Sequence, residues 1–258
     1  MSYVISFYGV KDGQGVTTTA LGVACEAAAQ HTVLFVDADM SGTGTAVDLL
    51  LLDPAGRGMN NLIGGRTISA QDLLGQAILT RLPKLGLVPG LIAVCGSSVP
   101  RLVDQLRGGS ALSVPGVEFV VVDFGSIAHP EQRSLRQAVA AIAAVSHRVF
   151  SVIRDDPPLL ARSIQVLKTA LPPKTELLLL ESRRGAVSKQ AEEALRLRLP
   201  ELPLAARIPW DPARAMGAAD AGRPMALGGL FRQLEVAQQA QPVLTQLRPS
   251  QERARVQP

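Results

Sequence analysis

The residues best suited to chemistry form a short polar loop near the start of the chain. Residues 11–19 read KDGQGVTTT and stand between a β-branched run and a helix-forming run. A glycine-rich turn that opens a helix points successive backbone N–H groups at one place, and such groups bind anions, phosphate above all. The loop therefore predicts a phosphate-binding cradle. A glycine turn that only connects a strand to a helix is the simpler alternative.

The loop departs from the common phosphate-binding pattern G-x-x-x-x-G-K-[ST]. The second glycine falls on Gly15 and the hydroxyl on Thr17, as the pattern requires. The first glycine, however, falls on Val10 and the lysine on Val16, while Asp12 adds a carboxylate. Losing one charge-assisted contact to phosphate costs roughly 1.5–3 kcal/mol, or about ten- to a hundredfold in affinity. We therefore expect weakened binding, and hydrolysis that is weak or absent because a cation is missing from the transition state.

Three acidic residues end two of the apolar runs that predict buried strands. Asp37 and Asp39 close the run TVLFVDAD, and Asp123 lies near the end of VEFVVVDFG. Ligands of open α/β sheets bind beyond the carboxyl ends of the parallel strands, so we expect these carboxylates to contribute to a site. The alternative, in which each carboxylate only caps a helix or a turn, stays open.

Short β-branched runs alternate with longer helical patterns along most of the chain. Strands are predicted at YVISFYGV, TVLFVDAD, LGLVPG, VEFVVVDFG, RVFSVIR, TELLLLES and LAARIPW, and helices at TTTALGVACEAAAQ, HPEQRSLRQAVAAIAAV and DPPLLARSIQVLKTAL. Continuous apolar strands between amphipathic helices predict an α/β fold with a doubly wound, mostly parallel sheet and helices on both faces. Residues 40–115 are the least regular part, where we expect surface helices or loops.

Length and composition favour one large domain. The 258 residues suffice for a sizeable core, and we predict one domain over 1–247 and a flexible polar tail over 248–258. Two cysteines cannot form a disulfide framework, and the N-terminus lacks a signal-peptide pattern. We therefore expect a cytoplasmic protein without membrane insertion. The formal charge of +4 permits weak contact with DNA.

At the loop, the chain resembles the deviant-Walker P-loop ATPases of the ParA/MinD family, whose loop reads like Lys-Gly-Gly-x-Gly-Lys-Thr-Thr. Loops that lack the central lysine and end in a Thr run are similar to those of the pilus-associated TadZ/CpaE proteins, a subgroup with a degenerate Walker A. The resemblance implies that Lys11 reaches across a dimer interface to the partner's nucleotide and acts in catalysis. It also implies Mg²⁺ binding by the Thr17 hydroxyl and a phosphate contact from Thr18. The remaining loop residues would line the nucleotide: Asp12, Gly13, Gln14, Gly15 and Val16.

Two further motifs carry the resemblance to the acidic residues. VLFVDAD is similar to the family's second-strand motif, which implies that Asp39 orients the attacking water and that Asp37 lies near Mg²⁺. FVVVDFGS resembles the Walker B strand, which places Asp123 beside the metal. ATP and Mg²⁺ are accordingly the expected cofactors.

A fourth motif lies in the C-terminal part of the chain. IPWDPARAMGAADAGRPM resembles the family's Ile-Pro-x-Asp segment, whose backbone lies by the adenine. The resemblance therefore implies adenine contacts from Pro209, Trp210 and Asp211. Many relatives place an adenine-reading Asn where this chain has Glu181, so the base preference stays open. The four motifs occur in the family's order and cover nearly the whole chain.

The resemblance implies a spatial organiser that forms a nucleotide-sensitive homodimer and recruits or positions a larger machine, such as a pilus or secretion apparatus. Protein partners of that machine would bring it to a cell pole or a membrane complex. Two alternatives stay open. One is a scaffold that dimerises and docks partners without nucleotide, and the other is a DNA-partitioning ParA-type ATPase that coats DNA through its arginines.

Overall fold

A computed structural model describes residues 1–40, 45–63, 67–90, 99–108, 110–127, 135–170, 174–182, 186–209, 211, 213, 217–218, 220–222 and 227–245. Three predictions lie wholly or partly outside the described residues. They are the polar tail over 248–258, the adenine contact of Trp210, and the first part of the helix predicted over 129–145.

The strands of the described chain form a single eight-stranded sheet. They are β1 Tyr3–Gly9, β2 Val33–Asp37, β3 Ile78–Leu79, β4 Leu85–Val88, β5 Phe119–Ser126, β6 Arg148–Arg154, β7 Thr175–Leu180 and β8 Leu204–Ile208. Their order across the sheet is β3-β4-β2-β5-β1-β6-β7-β8. Every neighbouring pair is parallel except β3 with β4. The seven strands expected from the apolar runs are all present, with ends that differ from the predicted ones by at most two residues.

The described helices are α1 Val16–Ala28, α2 Thr45–Leu49, α3 Ala70–Gln76, α4 Val99–Gly108, α5 Leu135–Val145, α6 Pro157–Ala170, α7 Ala186–Arg198, α8 Leu230–Gln233 and α9 Val236–Thr245. A 3₁₀ turn covers Met59–Asn61. Within these residues, no helix combines the length and the apolar character that crossing a bilayer requires.

Two apolar clusters cover the two faces of the sheet. Side chains alternate along a strand, and in β1 this sends Val4 and Tyr8 to one face and Ile5 and Phe7 to the other. The first face packs against α3 to α7, and the second against α1, α2, α8 and α9. Helices on both faces of a mostly parallel sheet confirm the predicted doubly wound fold.

The stretch expected to be irregular, 40–115, contains regular elements that position the sheet edge. Helix α3 begins with a capping box, in which the Ser69 hydroxyl accepts from the Asp72 N–H at 3.1 Å and the Asp72 carboxylate accepts from the Ser69 N–H at 2.9 Å. After it, β3 pairs antiparallel with β4, Ile78 opposite Leu87. Helices α2, α3 and α4 agree with the expected surface helices or loops, whereas the short edge strand β3 was not predicted.

A buried ion pair joins two strands at the amino edge of the sheet. The Arg148 guanidinium donates from Nε to Glu176 Oε1 at 2.7 Å and from Nη2 to Glu176 Oε2. Its Nη1 donates to the Leu234 carbonyl, just after α8. The guanidinium also lies 4.7 Å from the centre of the Phe150 ring. Arg148 therefore ties β6 to β7 and to the C-terminal helices.

A second anchor of the C-terminal segment lies on α1. The Glu26 carboxylate accepts hydrogen bonds from three backbone N–H groups, those of Leu227 at 3.1 Å, Gly229 at 2.9 Å and Phe231 at 2.9 Å. These groups lead into α8 and occupy its first turn, where N–H donors lack partners within the helix. Glu26 thus supplies the negative charge that a helix N-terminus favours.

Candidate functional site

The sheet topology brings one crevice to the carboxyl end of β1. The chain continues from β1 to β2 and β4 on one side, and from β5 to β6, β7 and β8 on the other. The neighbouring strands β5 and β1 thus connect in opposite directions, β1 toward β2 and β5 toward β6. In open α/β sheets the loops that follow two such strands separate, and ligands bind in the crevice between them. The loop 10–15 lies at this opening and leads into α1.

Two glycines give the loop its shape. Gly13 and Gly15 have φ angles of 78° and 79°, in the left-handed region that favours glycine. Gly15 is the N-cap of α1, and no described side chain caps this end of the helix. The first turn also carries no acidic residue. The N–H groups of this turn, which includes Thr17 and Thr18, are thus available to an anion.

Val16 occupies the place of the missing lysine, and its side chain lies in the core. It is 6% exposed and belongs to the apolar cluster that contains Phe7. A Cβ on Gly9 would lie 2.8 Å from Val16 Cγ2, and one on Gly15 would lie 2.6 Å from Leu180 Cδ2. The loop therefore rests on tightly packed apolar side chains, and position 16 supplies no charge.

Gln14 fastens the loop to the neighbouring strand. Its side chain is 1% exposed. The Nε2 donates to Ser163 Oγ at 3.1 Å, and the Oε1 accepts from the Arg154 backbone N–H at 2.6 Å. Gln14 was predicted to contact the nucleotide, and both ends of its side-chain amide are engaged within the protein. Lys11 and Asp12 are exposed on the outer side of the loop.

The structure brings the three predicted carboxylates together. Asp37 and Asp123 are direct partners on β2 and β5, and both are buried. Asp39 is half-buried and lies against the backbone of Gly125, where an added Cβ would come within 2.2 Å of its Cγ. Three acidic groups thus lie beside the Thr17 hydroxyl, which is close enough to Asp123 to lower the pKa of that carboxyl.

Asp37 also has a structural role. Its Oδ1 accepts from the Asp39 N–H at 3.2 Å and its Oδ2 from the Ala46 N–H at 3.3 Å. Burial raises the pKa of Asp37 well above its ordinary value, and the charges of Asp123 and Asp39 raise it further, against the lowering effect of the two N–H groups. Asp37 therefore holds the start of α2 as well as facing the carboxylate cluster.

Within the part of the chain that the structure describes, Asp123 has one carboxylate oxygen with a donor and one without. Its Oδ1 accepts from the Gly125 N–H at 2.8 Å. Burial raises its pKa to about 7, although the Thr17 hydroxyl and the Gly125 N–H lower it, and Asp39 raises it. Within the described residues, Oδ2 is buried without a donor in hydrogen-bonding geometry, so the Thr17 contact does not satisfy this oxygen. Burying such an oxygen costs free energy of folding unless a cation or a hydrogen-bond donor contacts it.

The donor set suits Mg²⁺ that is shared with a phosphate. Mg²⁺ is commonly bound through one or two carboxylates together with substrate phosphates. Thr17, Asp37 and Asp123 offer such a set, and the unsatisfied Asp123 oxygen fits it. In the described part of the chain, no group of three or more His, Cys, Asp and Glu residues forms a metal site by itself. The phosphate would have to supply the remaining oxygens.

The segment predicted to contact adenine follows β8, which is the third strand from β1 in the sheet. Pro209 is exposed and Asp211 is half-buried. Glu181, at the end of the neighbouring β7, accepts from Arg207 Nε at 3.1 Å. Glu181 is thus engaged in an ion pair.

One cation beside the loop was not predicted by any sequence motif. Arg154, the last residue of β6, places Nη1 at 3.5 Å from the Gly13 carbonyl. No motif includes this residue. It could have been found only by knowing that β6 lies next to β1.

Neither a protein-family model nor a curated protein matches this chain. Solved structures do. The septum site-determining protein MinD from Pyrococcus horikoshii OT3, complexed with Mg-ADP, has a TM-score of 0.65 at 18% identity, over 94% of this chain and 98% of that one. MinD in the MinC:MinD complex of Aquifex aeolicus has a TM-score of 0.65 at 16% identity, over 95% and 96%. A ParA family ATPase from Chlorobium tepidum TLS has 0.62 at 15%, over 93% and 99%.

These likenesses extend over nearly the full length of each chain. At identities below one fifth they establish the fold and nothing beyond it. The chain therefore has the fold of the MinD and ParA type of P-loop NTPases.

Proposed function

We propose that this protein is a ParA/MinD-type spatial organiser that binds ATP with Mg²⁺ at the loop following β1 and forms a homodimer. The observation that carries the proposal is the buried, unsatisfied Oδ2 of Asp123 beside Thr17, next to a glycine loop whose helix is uncapped. One structure of the same fold, MinD of Pyrococcus horikoshii, is complexed with Mg-ADP. Another, MinD of Aquifex aeolicus, is in complex with the protein MinC.

The loop and the carboxylates divide the work in this proposal. The backbone of Gly13, Gly15 and Thr18 binds phosphate oxygens, and Thr17 with Asp123 and Asp37 holds Mg²⁺. The metal, when bound, offsets the negative charge that phosphates and carboxylates share. Asp39 positions water, and the exposed Lys11 reaches the nucleotide of the partner subunit. The segment 209–211 lies by the base.

Turnover is expected to be weak or absent. Phosphoryl transfer depends on positive charge that stabilises the transferring group. Val16 lies in the core and contributes none, while the exposed Asp12 adds negative charge to the loop. A slow or inactive ATPase would remain bound to nucleotide for a long time. In that state we propose that it recruits or positions a pilus or secretion apparatus, as a TadZ/CpaE-like protein.

Calorimetry with ATP and Mg²⁺ tests the proposal directly. We expect binding heat with Mg·ATP, much less with ATP in EDTA, and a higher unfolding temperature in the presence of Mg·ATP. Ligand at a hundred times its Kd stabilises the folded state by about 2.7 kcal/mol. No heat and no thermal shift at millimolar nucleotide would reject the proposal in favour of a nucleotide-independent scaffold. ATP-dependent, salt-sensitive retention on DNA would instead identify a partitioning ATPase.

Val16→Lys is expected to restore a cation to the loop at some cost in stability. The substitution removes a buried valine, whose burial contributes about 1.5–3 kcal/mol, so the nucleotide-free variant should unfold at a lower temperature. Its affinity for Mg·ATP should rise about ten- to a hundredfold. Val16→Ala is the matched control, because it also removes core packing but adds no charge. Equal nucleotide affinities in the two variants would count against a phosphate cradle.

A further inference from the structure

The strand beside the loop provides a cation that the common motif does not describe. Arg154 ends β6, and β6 pairs directly with β1, the strand that leads into the loop. Its guanidinium therefore leaves the sheet at the same edge as Gly13. The Nη1 approaches the Gly13 carbonyl at 3.5 Å, which places the positive charge against the loop itself.

The backbone of Arg154 is held in place by the loop. Its N–H donates to Gln14 Oε1 at 2.6 Å, and Gln14 is buried and also bonded to Ser163 on α6. This tether fixes the Cα of Arg154 relative to the loop, and the guanidinium reaches the Gly13 carbonyl from that point. Such positioning is what a phosphate contact needs, since less freedom is lost on binding.

Among the residues that the structure describes, the guanidinium of Arg154 lacks the carboxylate partner that two other arginines of the sheet have. Its Nε is buried without a hydrogen-bond partner, and no ion-pair partner occurs within the described residues. Arg148 and Arg207, by contrast, pair with Glu176 and Glu181.

The acidic residues that follow Arg154 in sequence are engaged elsewhere. Asp155 is buried and accepts from the backbone N–H of Ser182 at 2.6 Å and from Ser188 Oγ at 2.8 Å. Asp156 accepts from the Leu159 N–H at 3.4 Å. Among the described residues, neither carboxylate forms an ion pair with Arg154, whose guanidinium lies beside the loop instead.

We propose that Arg154 binds the phosphates of the nucleotide and replaces the loop lysine whose place Val16 occupies. This inference rests on the proposed nucleotide binding. The two neighbours of β1 then act on the phosphates from opposite sides, with the carboxylate and metal site on β5 and the guanidinium on β6. A guanidinium binds phosphate oxygens through two parallel N–H groups, which a lysine ammonium cannot do.

The test compares Arg154→Gln with wild type by calorimetry against Mg·ATP, Mg·ADP and adenosine. We expect the affinity for both phosphorylated ligands to fall about ten- to a hundredfold, and the affinity for adenosine to stay unchanged. Arg154→Lys, which keeps the charge but not the fork, should recover part of the loss. Arg162→Gln, an exposed arginine of α6, is the matched control and should bind like wild type.

The outcomes separate this inference from the function on which it rests. If wild type binds Mg·ATP and Arg154→Gln binds it equally well, the role of Arg154 is rejected while nucleotide binding stands. If adenosine binding falls as much as ATP binding, Arg154 only supports the loop, and the inference is again rejected. If wild type binds no nucleotide, both proposals fail. Unfolding temperatures measured without ligand show whether each variant is folded, and Arg154→Lys decides the question if Arg154→Gln is not.

Discussion

Asp123→Asn is expected to stabilise the metal-free protein at pH 8 while abolishing the proposed Mg²⁺-dependent nucleotide binding. Burial raises the pKa of Asp123 from 3.8 to about 7, so its ionised form is disfavoured in the folded state. One unit of pKa difference corresponds to about 1.4 kcal/mol. Removing the charge should therefore raise the free energy of unfolding by about 1–3 kcal/mol, less than the full shift because the Asn Nδ2 needs an acceptor.

The same substitution should change the pH dependence of stability. Between pH 3.8 and about 7 the folded state keeps a proton on Asp123 that the unfolded state has released. The free energy of unfolding of the metal-free wild type therefore falls as pH rises through this window, and levels off above it. Asp37, whose pKa is also raised, contributes a slope of the same sign. Asp123→Asn should flatten the profile without abolishing it.

Urea unfolding in EDTA at pH 5, 6, 7 and 8 measures both effects, and calorimetry with Mg·ATP measures the loss of binding. Asp104→Asn, at an exposed position of α4, controls for a change in net charge and should leave both unchanged. Lower stability of Asp123→Asn than of wild type at pH 8 would contradict the assigned electrostatic strain. A charged residue that lowers the stability of the folded state is often present for function, because functional sites commonly reduce stability.

Arg148→Met is expected to destabilise the protein by about 3–5 kcal/mol, because it leaves the carboxylate of Glu176 with no cation and the Leu234 carbonyl without its donor. Nucleotide affinity should not change in the fraction that is folded, since Arg148 lies at the amino edge of the sheet, opposite the loop. Denaturant unfolding at pH 7 provides the measurement.

Two further variants test whether the loss of stability comes from leaving the Glu176 carboxylate without its partner. Arg196→Met removes an exposed arginine whose i,i+4 partner is Glu192, and should cost no more than about 0.5 kcal/mol. The double variant Arg148→Met with Glu176→Met should recover part of the loss, because no charge is then left without its partner. Similar costs for Arg148→Met and Arg196→Met would disprove the role of the buried pair.

The sheet could be predicted from the sequence because its central strands are buried on both faces. A strand such as β5, with the run FVVVDFGS, must be apolar on both sides, and its continuous run is distinct from helical periodicity. Strand β3 has only two residues, Ile78 and Leu79, and Leu79 is 89% exposed. Neither its length nor its pattern differs from that of a loop. The Ser69 and Asp72 capping box before it was a readable signal for α3.

The site was predictable to the extent that it follows from strand ends. That Asp37, Asp39 and Asp123 lie at one edge follows from the common direction of parallel strands, but that they lie close together also depends on β2 being the neighbour of β5. The contacts of Gln14 and Arg154 depend on β6 being the neighbour of β1, and spacing along the chain does not contain that information. The same holds for Glu181, whose pairing with Arg207 requires β7 and β8 to be adjacent.

Helix α1 connects the loop 10–15 with the C-terminal helices α8 and α9. It has 13 residues, which makes it a rod about 20 Å long. One end joins the loop at Gly15, and near the other end Glu26 holds the backbone of Leu227, Gly229 and Phe231. The rod cannot shift at the loop without either pulling the C-terminal helices along or breaking three charge-assisted hydrogen bonds. The position of the loop and the position of the C-terminal helices are thereby coupled through a single helix.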